Sequence, residues 1–438
     1  MQQKVTPRIL QGFVELLPAD QLAFEDIKNK IETTYRRFGF MPLDTPTLEY
    51  SDVLLAKAGG ETEKQIYRFN HHDSDVALRF DLTVPLARYV AQHYPDLSFP
   101  FKRYQISKSF RGERPQKGRF REFYQCDIDV IGADELDLCY DAEITAAISS
   151  VFTLLDIGDF VIRINNRKIL SGFFGSLGLG DITADVMRTI DKLPKIGLEK
   201  THGELKTLGV SDEGLARIDS FVGISGTNEE KIAALRALSS DEKFVLGVDE
   251  LESVITLAHG LGVKEKNLEI DLSIVRGLDY YTGTVYETFI VGHENFGSVC
   301  SGGRYEDLAG FYTDKKLPGV GAAIGLSRLF AQLKENGMIA AGAKTTAKVL
   351  VLPTDPARYG FAAGIAETFR AEGIPTDVFW SGKSLKAKFK YADRCGVEYV
   401  AVIGDSEETQ GVVNLRRMTD GTQLSMTAAE AAEYLKNN

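Results

Sequence analysis

Several patterns are missing from this chain, and each absence removes a class of function. The four cysteines (Cys126, Cys139, Cys300 and Cys395) are widely spaced and form no CxxC pair. Neither a zinc site nor a disulfide scaffold is indicated, and a reducing, cytoplasmic compartment is expected. No apolar run approaches the ~18 residues of a membrane span. The opening residues, MQQKVTPRIL, lack the apolar core of a signal peptide. Positive charge is in deficit: 51 Lys and Arg face 62 Asp and Glu, a net charge of −11. That excludes a protein that coats nucleic acid without specificity, but allows a local basic patch on an acidic body. No phosphate-loop sequence, kinase loop set or nucleophile elbow occurs, so ordinary γ-phosphoryl transfer and triad hydrolysis are disfavoured. His71 and His72 are adjacent in a polar turn with no third ligand near, so no metal held by protein ligands is expected.

What is present begins with length. At 438 residues, 44% hydrophobic and 26% charged, the chain can fill two or three domains with sizeable cores. The segment Phe110–Asp129 stands out, with Arg111, Arg114, Lys117, Arg119 and Arg121 in its first twelve positions. Strand-like runs flank it, Arg103–Ser107 before and Glu122–Gly132 after. The expected form is two strands joined by a long basic loop that needs an anionic partner. In the second strand Gln125, Asp127 and Asp129 alternate with Cys126, Ile128 and Val130, so one sheet face presents an amide and carboxylates beside the arginines.

The remaining chain reads as follows. Asp20–Phe38 has the periodicity of an amphipathic helix, with Gly39 just past its end. Gly59–Asn70 is expected as a loop leading into a strand. Val76–Tyr94 turns from strand to helix near Thr83–Pro85, so Asp81 and Thr83 either cap that helix or project into a pocket. A helix is expected from Asp134 to about Leu155. The stretch 173–259 is Lys-, Glu- and Leu-rich with helical periodicity, a small helical domain set into a β-rich one. Glycines in Leu317–Leu333 would let a flat ring approach the backbone. Residues 337–346 form a linker, and 347–438 a compact α/β unit with a mostly parallel sheet.

Three arginines, Arg111, Arg276 and Arg328, lie near strand ends in a domain that also offers Asp81, Thr83, Gln125 and Asp129. Guanidinium forks bind phosphate oxygens in pairs, so the set resembles a triphosphate clamp beside a small polar pocket.

Motifs then narrow the reading. FRGERPQKGRFREFYQ resembles motif 2 of the class II aminoacyl-tRNA synthetases, GVGAAIGLSRL resembles motif 3, and the helix-strand segment ending at Pro46 resembles motif 1. RGLDYYTGTVYE (Arg276–Glu287) is similar to the signature peptide of the histidyl-tRNA synthetases. SGGRYEDL and RFDLTVPLAR fit the same family, and the likeness runs nearly end to end. It implies an α+β fold: an antiparallel class II core flanked by helices, a helical insertion, and a C-terminal α/β anticodon-binding domain. The divisions are 1–172 and 260–336 for the two parts of the core, 173–259 for the insertion, 337–346 for the linker and 347–438 for the anticodon domain.

The resemblance also implies roles. Arg111 and Arg276 would flank the α-phosphate as the catalytic pair, Arg276 standing where other class II enzymes use a metal ion. Glu113, Arg119 and Arg328 would join Arg111 around ATP, which carries Mg²⁺. Histidine would be held by Asp81, Thr83, Gln125, Asp129, Tyr280, Tyr281 and Tyr305 together with the two catalytic arginines. Arg114, Gln116 and Lys117 would meet the acceptor end of tRNA(His). Arg416, Arg417 and the lysines from Lys383 to Lys390 would offer phosphate contacts to the anticodon arm. A homodimer is implied. An imidazole needs a partner at each ring nitrogen, and a pocket that supplies both rejects other amino acids by ~10⁴ without editing. Ser327 stands before Arg328, where many relatives carry an acidic residue, and little effect is expected. The alternative is a non-catalytic paralogue that regulates ATP phosphoribosyltransferase. Such paralogues generally lack the anticodon-type domain and the full arginine set.

Overall fold

The computed structural model describes all residues except 1–3, 57–60, 115–117, 191, 275–280, 308 and 340–342. Two compact units result, Met1–Val14 with Ile27–Met338, and Glu15–Asp26 with Ile339–Asn438.

The larger unit carries strands β1 (Met41–Pro42), β2 (Leu48–Tyr50), β3 (Arg68–His71), β4 (Ser74–Leu78), β5 (Phe101–Phe110), β6 (Glu122–Ile131), β7 (Phe160–Asn166), β8 (Leu268–Ile270), β9 (Thr284–Ile290), β10 (Cys300–Tyr305) and β11 (Gly319–Ile324). Eight of them make one sheet in the order β1-β5-β6-β11-β10-β9-β7-β8. Its interior pairs are antiparallel, and only the outer pairs β1·β5 and β7·β8 are parallel. β2, β4 and β3 form a separate small sheet.

Strand alternation decides what each face of the large sheet does. Cys126, Ile128 and Val130 are fully buried. On that side Tyr35, from the helix Pro18–Arg37, donates its hydroxyl proton to the Cys126 carbonyl at 3.0 Å. The opposite face carries Gln125, Asp127 and Asp129. A buried ion pair fixes the helix Cys139–Leu155 to β10: Arg304 donates through Nε to Asp141 (3.0 Å) and through Nη1 to the Leu136 carbonyl (2.9 Å).

Between β7 and β8 the described elements are helical, from Arg167–Ser176 to Glu242–Gly260. Side-chain caps begin several of these helices. Ser211 accepts from the Gly214 N–H, Thr227 and Glu230 form a reciprocal capping box, and Asp241 accepts from the Phe244 N–H.

The smaller unit carries β12 (Val349–Pro353), β13 (Thr376–Val378), β14 (Tyr399–Ile403), β15 (Val412–Arg417) and β16 (Gln423–Thr427), ordered β13-β12-β14-β15-β16. Val349 and Val351 pack on one face with Ile365, Phe369 and Leu435, while Leu350 and Leu352 pack on the other with Ala392 and Val397. Burial on both faces explains the unbroken apolar run of β12.

Three expectations need correction. The smaller sheet is mixed rather than mostly parallel, since β14·β15 and β15·β16 are antiparallel. The connections 404–411 and 418–422 are too short for a parallel crossover. A short helix, Glu61–Gln65, stands where a loop was expected. The helix expected from Asp134 begins at Cys139, because Ala133 and Glu135 form an isolated bridge and Asp134 takes a positive φ of 64°.

Candidate active site

Register assembles the site. On β5 and β6, Arg103 lies opposite Asp129, Gln105 opposite Asp127, and Ser107 opposite Gln125. Across the other edge of β6, Asp129 faces Gly321 and Asp127 faces Ala323, which in turn face Gly303 and Ser301 on β10. Directly opposed residues share a face, so a polar row on β6 borders a floor of small residues. Above it lie two cavities of about 370 and 170 Å³, both lined by Arg111, Gln125, Ser301 and Ala323.

The smaller cavity gathers Asp81, Thr83, Asp127, Asp129, Tyr281 and Tyr305 around the shared residues. Asp129 accepts from the Tyr305 hydroxyl at 3.0 Å and pairs with Arg103 Nη2 at 2.6 Å. Arg103 is fully buried and also donates to the Leu82 carbonyl at 3.2 Å. A Cβ at Gly321 would stand 2.2 Å from Asp129 Oδ1, and one at Gly319 would stand 2.4–2.6 Å from the Tyr305 ring and hydroxyl. Gly319 and Gly321 therefore make room for the protein's own Tyr305 ring and Asp129 carboxylate, while Gly321 and Gly325 also line the smaller and larger cavities. Asp81 does both things expected of it: its Oδ1 accepts from the Val84 N–H at 3.1 Å at the start of the helix Thr83–Gln92, and it lines the cavity.

Three carboxylic acids share this pocket, with Asp127 and Asp129 buried and Asp81 partly exposed. Burial pushes Asp127 up to about 8, with Asp129 and Asp81 adding to it and Arg103 and Arg111 opposing. Burial likewise pushes Asp129 up to about 6, with Arg103 and the Tyr305 hydrogen bond opposing. Asp81 is raised by burial against the Val84 N–H and Arg111.

The larger cavity holds Arg111, Glu113, Arg119 and Arg328. Arg111 is aimed by its Nε bond to the Phe80 carbonyl (3.0 Å) and by the Phe123 ring, 5.0 Å from its guanidinium carbon. Arg119 stands 3.7 Å from Glu113, and Arg328 donates to the Phe296 carbonyl beside Gly297. Arg121 is structural: its Nε donates to the Glu113 carbonyl at 3.1 Å, and its backbone closes the loop against Arg111 and Gly12. The Ser327 hydroxyl accepts from the Tyr124 N–H at 2.8 Å and ties the motif 3 helix to the start of β6. An acidic residue there would accept the same bond.

Arg114 is exposed and lines neither cavity. Arg276, Tyr280, Gln116 and Lys117 lie outside the described residues. Among the described residues no His, Cys, Asp and Glu cluster could hold a metal ion. Arg103 and Phe123 were not among the expected site residues, and Asp127, expected on this sheet face, lines the smaller cavity as well. Counting the hairpin register back from the basic loop is the signal that finds Arg103 opposite Asp129.

In the smaller unit, Lys388 departs from the expected phosphate-binding face. It is fully buried and donates to the Pro353 carbonyl. Arg417 is engaged with the Tyr434 hydroxyl at 2.7 Å.

Comparison with known proteins gives the same reading by an independent route. Residues 12–329 match the family model described as histidyl-tRNA synthetase, and residues 348–438 match that of an anticodon binding domain. The chain is 51% identical over 436 residues to the histidine–tRNA ligase of Clostridium tetani, covering 99% of both chains. It is 45% identical over 459 residues to that of Xanthomonas axonopodis pv. citri, covering 99% of this chain and 96% of that one. The crystal structure of histidyl-tRNA synthetase from Nostoc sp. PCC 7120 superposes with a TM-score of 0.93 at 40% identity, over 99% of this chain and 100% of that one. An ATP phosphoribosyltransferase regulatory subunit/histidyl-tRNA synthetase from Bacillus halodurans shares the fold at 19% identity, with a TM-score of 0.77. With the class II sheet, the arginine-lined double cavity and a family model spanning most of its length, this chain belongs to the histidyl-tRNA synthetase family.

Proposed function

We propose that the chain activates L-histidine with ATP and then transfers the histidyl group to the 3′ end of tRNA(His). The observation that carries this is the pair of joined cavities. One is small, acidic and edged by two tyrosines, the other is arginine-lined, and Arg111 and Gln125 belong to both. The junction is where an amino-acid carboxylate and an α-phosphate would meet.

Histidine lies with its imidazole toward Asp129, Tyr281 and Tyr305 and its carboxylate toward Arg111. A carboxylate offers about four lone-pair sites. Asp129 therefore keeps acceptor capacity for a ring N–H beyond Arg103 and Tyr305, and the Tyr281 phenol serves the other ring nitrogen. Asp81, Thr83 and Gln125 receive the α-ammonium and carboxylate. ATP enters with Mg²⁺, its γ-phosphate at Arg328 and its remaining phosphates near Arg111 and Arg119, with Glu113 the carboxylate beside them. Arg276 supplies the second positive charge at the α-phosphate. A carboxylate oxygen attacks the α-phosphorus and pyrophosphate leaves. The terminal ribose hydroxyl of tRNA then attacks the acyl carbon and AMP leaves. Both steps need orientation and charge stabilisation more than covalent help.

Arg114, Gln116 and Lys117 face the acceptor end, and residues 347–438 read the anticodon. Residues 173–259 act as an inserted helical domain between core segments 1–172 and 260–336, with 337–346 as linker. The working form is a cytoplasmic homodimer. The rival regulatory role is disfavoured by the match of residues 348–438 to an anticodon-binding model and by full-length relatives that are ligases. The test incubates the purified chain with ATP, Mg²⁺, labelled histidine and tRNA(His). Esterified histidine on that tRNA is expected, and its absence would refute the reading.

A further inference from the structure

Asp127 belongs to none of the roles above, yet it is among the best placed groups in the smaller cavity. It is 2% exposed, and its Oδ1 has no hydrogen-bond partner among the described residues. The side chain directly opposite cannot satisfy it. Gln105 turns its amide away, donating to Asp44 Oδ1 at 2.9 Å and Thr45 Oγ1 at 3.2 Å. On the other side Ala323 offers no polar atom. A buried carboxylate oxygen left unpaired is costly, and such an atom lining a cavity points to a ligand group.

Its position along β6 identifies that group. Residues i and i+2 on a strand stand roughly 6.6 Å apart. Gln125 marks the junction with the phosphate cavity, and Asp129 with Tyr305 marks the far end. Asp127 stands midway, level with the α-carbon of an amino acid stretched between those two ends. Asp81 faces the same cavity from the start of the helix Thr83–Gln92.

We propose that Asp127 is a substrate-binding residue that, with Asp81, forms a two-carboxylate seat for the α-ammonium of the amino acid. The proposal rests on reading the smaller cavity as the histidine site. Charges in the cavity agree with it. When ionised, Asp81, Asp127 and Asp129 outnumber the guanidinium groups of Arg103 and Arg111, so this end of the cavity favours a cationic group. Burial pushes the Asp127 carboxyl up to about 8 in the unliganded pocket. An ammonium beside it would favour the ionised form.

The test compares Asp127→Asn with wild type, using three probes in competition or exchange assays. Histidine carries both ammonium and carboxylate, histidinol keeps only the ammonium, and imidazolepropionate keeps only the carboxylate. In Asp127→Asn the histidine KM and the histidinol inhibition constant should each rise by about 10- to 100-fold, the loss expected for a hydrogen bond to a charged group. Imidazolepropionate inhibition and the KM for ATP should stay within about twofold of wild type, and Asp127→Glu should recover part of the histidinol affinity. Equal weakening of histidinol and imidazolepropionate would overturn the proposal and leave Asp127 a structural residue. Unchanged histidinol inhibition would also overturn it. Absence of histidine-dependent exchange in the wild-type chain is a separate result, and would instead remove the functional reading beneath it.

Discussion

Replacing Arg103 with methionine isolates the buried pair on which the amino-acid pocket depends. Methionine keeps the length and apolar stem of the side chain but deletes the guanidinium. Asp129, with its partner at 2.6 Å removed, would be left buried with only the Tyr305 hydroxyl as a described donor. Deleting one partner of a buried ion pair costs about 3–5 kcal/mol, because the other charge remains desolvated and uncompensated. The cost must depend on pH. Burial already pushes Asp129 up to about 6, and Arg103 is the largest opposing influence. Without it the carboxyl rises further and takes up a proton at neutral pH. A raised folded-state acid contributes stability that is present at low pH and lost as pH rises through the folded value. Arg103→Met should therefore lose most stability near pH 8 and least near pH 5. Adding Asp129→Asn removes the charge and should restore much of the stability at pH 8 without restoring histidine binding. The assay is urea denaturation of both variants at the two pH values, beside the histidine KM in pyrophosphate exchange. An unchanged denaturation midpoint for Arg103→Met at pH 8, or a double variant no more stable than the single one, would refute the reasoning.

Other outcomes follow from the same geometry. Arg111→Ala should slow histidine-dependent exchange by on the order of 100-fold, as for loss of one preorganised transition-state donor; a rate near wild type would remove Arg111 from the junction. In the unliganded protein, Asp127→Asn should gain thermal stability over wild type as pH rises from about 6 to 9, because the acid's folded value of about 8 lies far above its ordinary ~3.9. A stability difference independent of pH would contradict the burial of that carboxyl. Removing residues 345–438 should impair tRNA charging far more than adenylate formation, measured as charging against exchange; equal loss of both would contradict the division of labour.

Much of the fold was legible because its elements carry local signals. The helix Pro18–Arg37 and the strand pair around the basic loop are written in periodicity and short-range chemistry. The site was legible where motifs mark it, so Asp81, Thr83, Gln125, Asp129, Tyr281 and Tyr305 line one described cavity, and Arg111, Glu113, Arg119 and Arg328 line the one adjoining it. What escaped depends on contacts between distant segments. Arg103 lies on a strand outside the basic loop, and only cross-strand register shows that it neutralises Asp129. The bond from the Tyr124 N–H to Ser327 joins residues 203 positions apart, and no local pattern announces it. The glycines of Leu317–Leu333 suggested open space beside the strand, but not that Tyr305 and Asp129 would fill the space over Gly319 and Gly321. Lys388 read as surface charge because a helix repeat does not reveal that a strand-end carbonyl waits beneath it.

Pyrophosphate exchange measured with each of the common amino acids in turn tests the central claim most directly. Exchange supported by histidine alone is the predicted result, since only an imidazole satisfies both Asp129 and the facing phenol. Exchange supported equally well by another amino acid, or by none, would contradict the account.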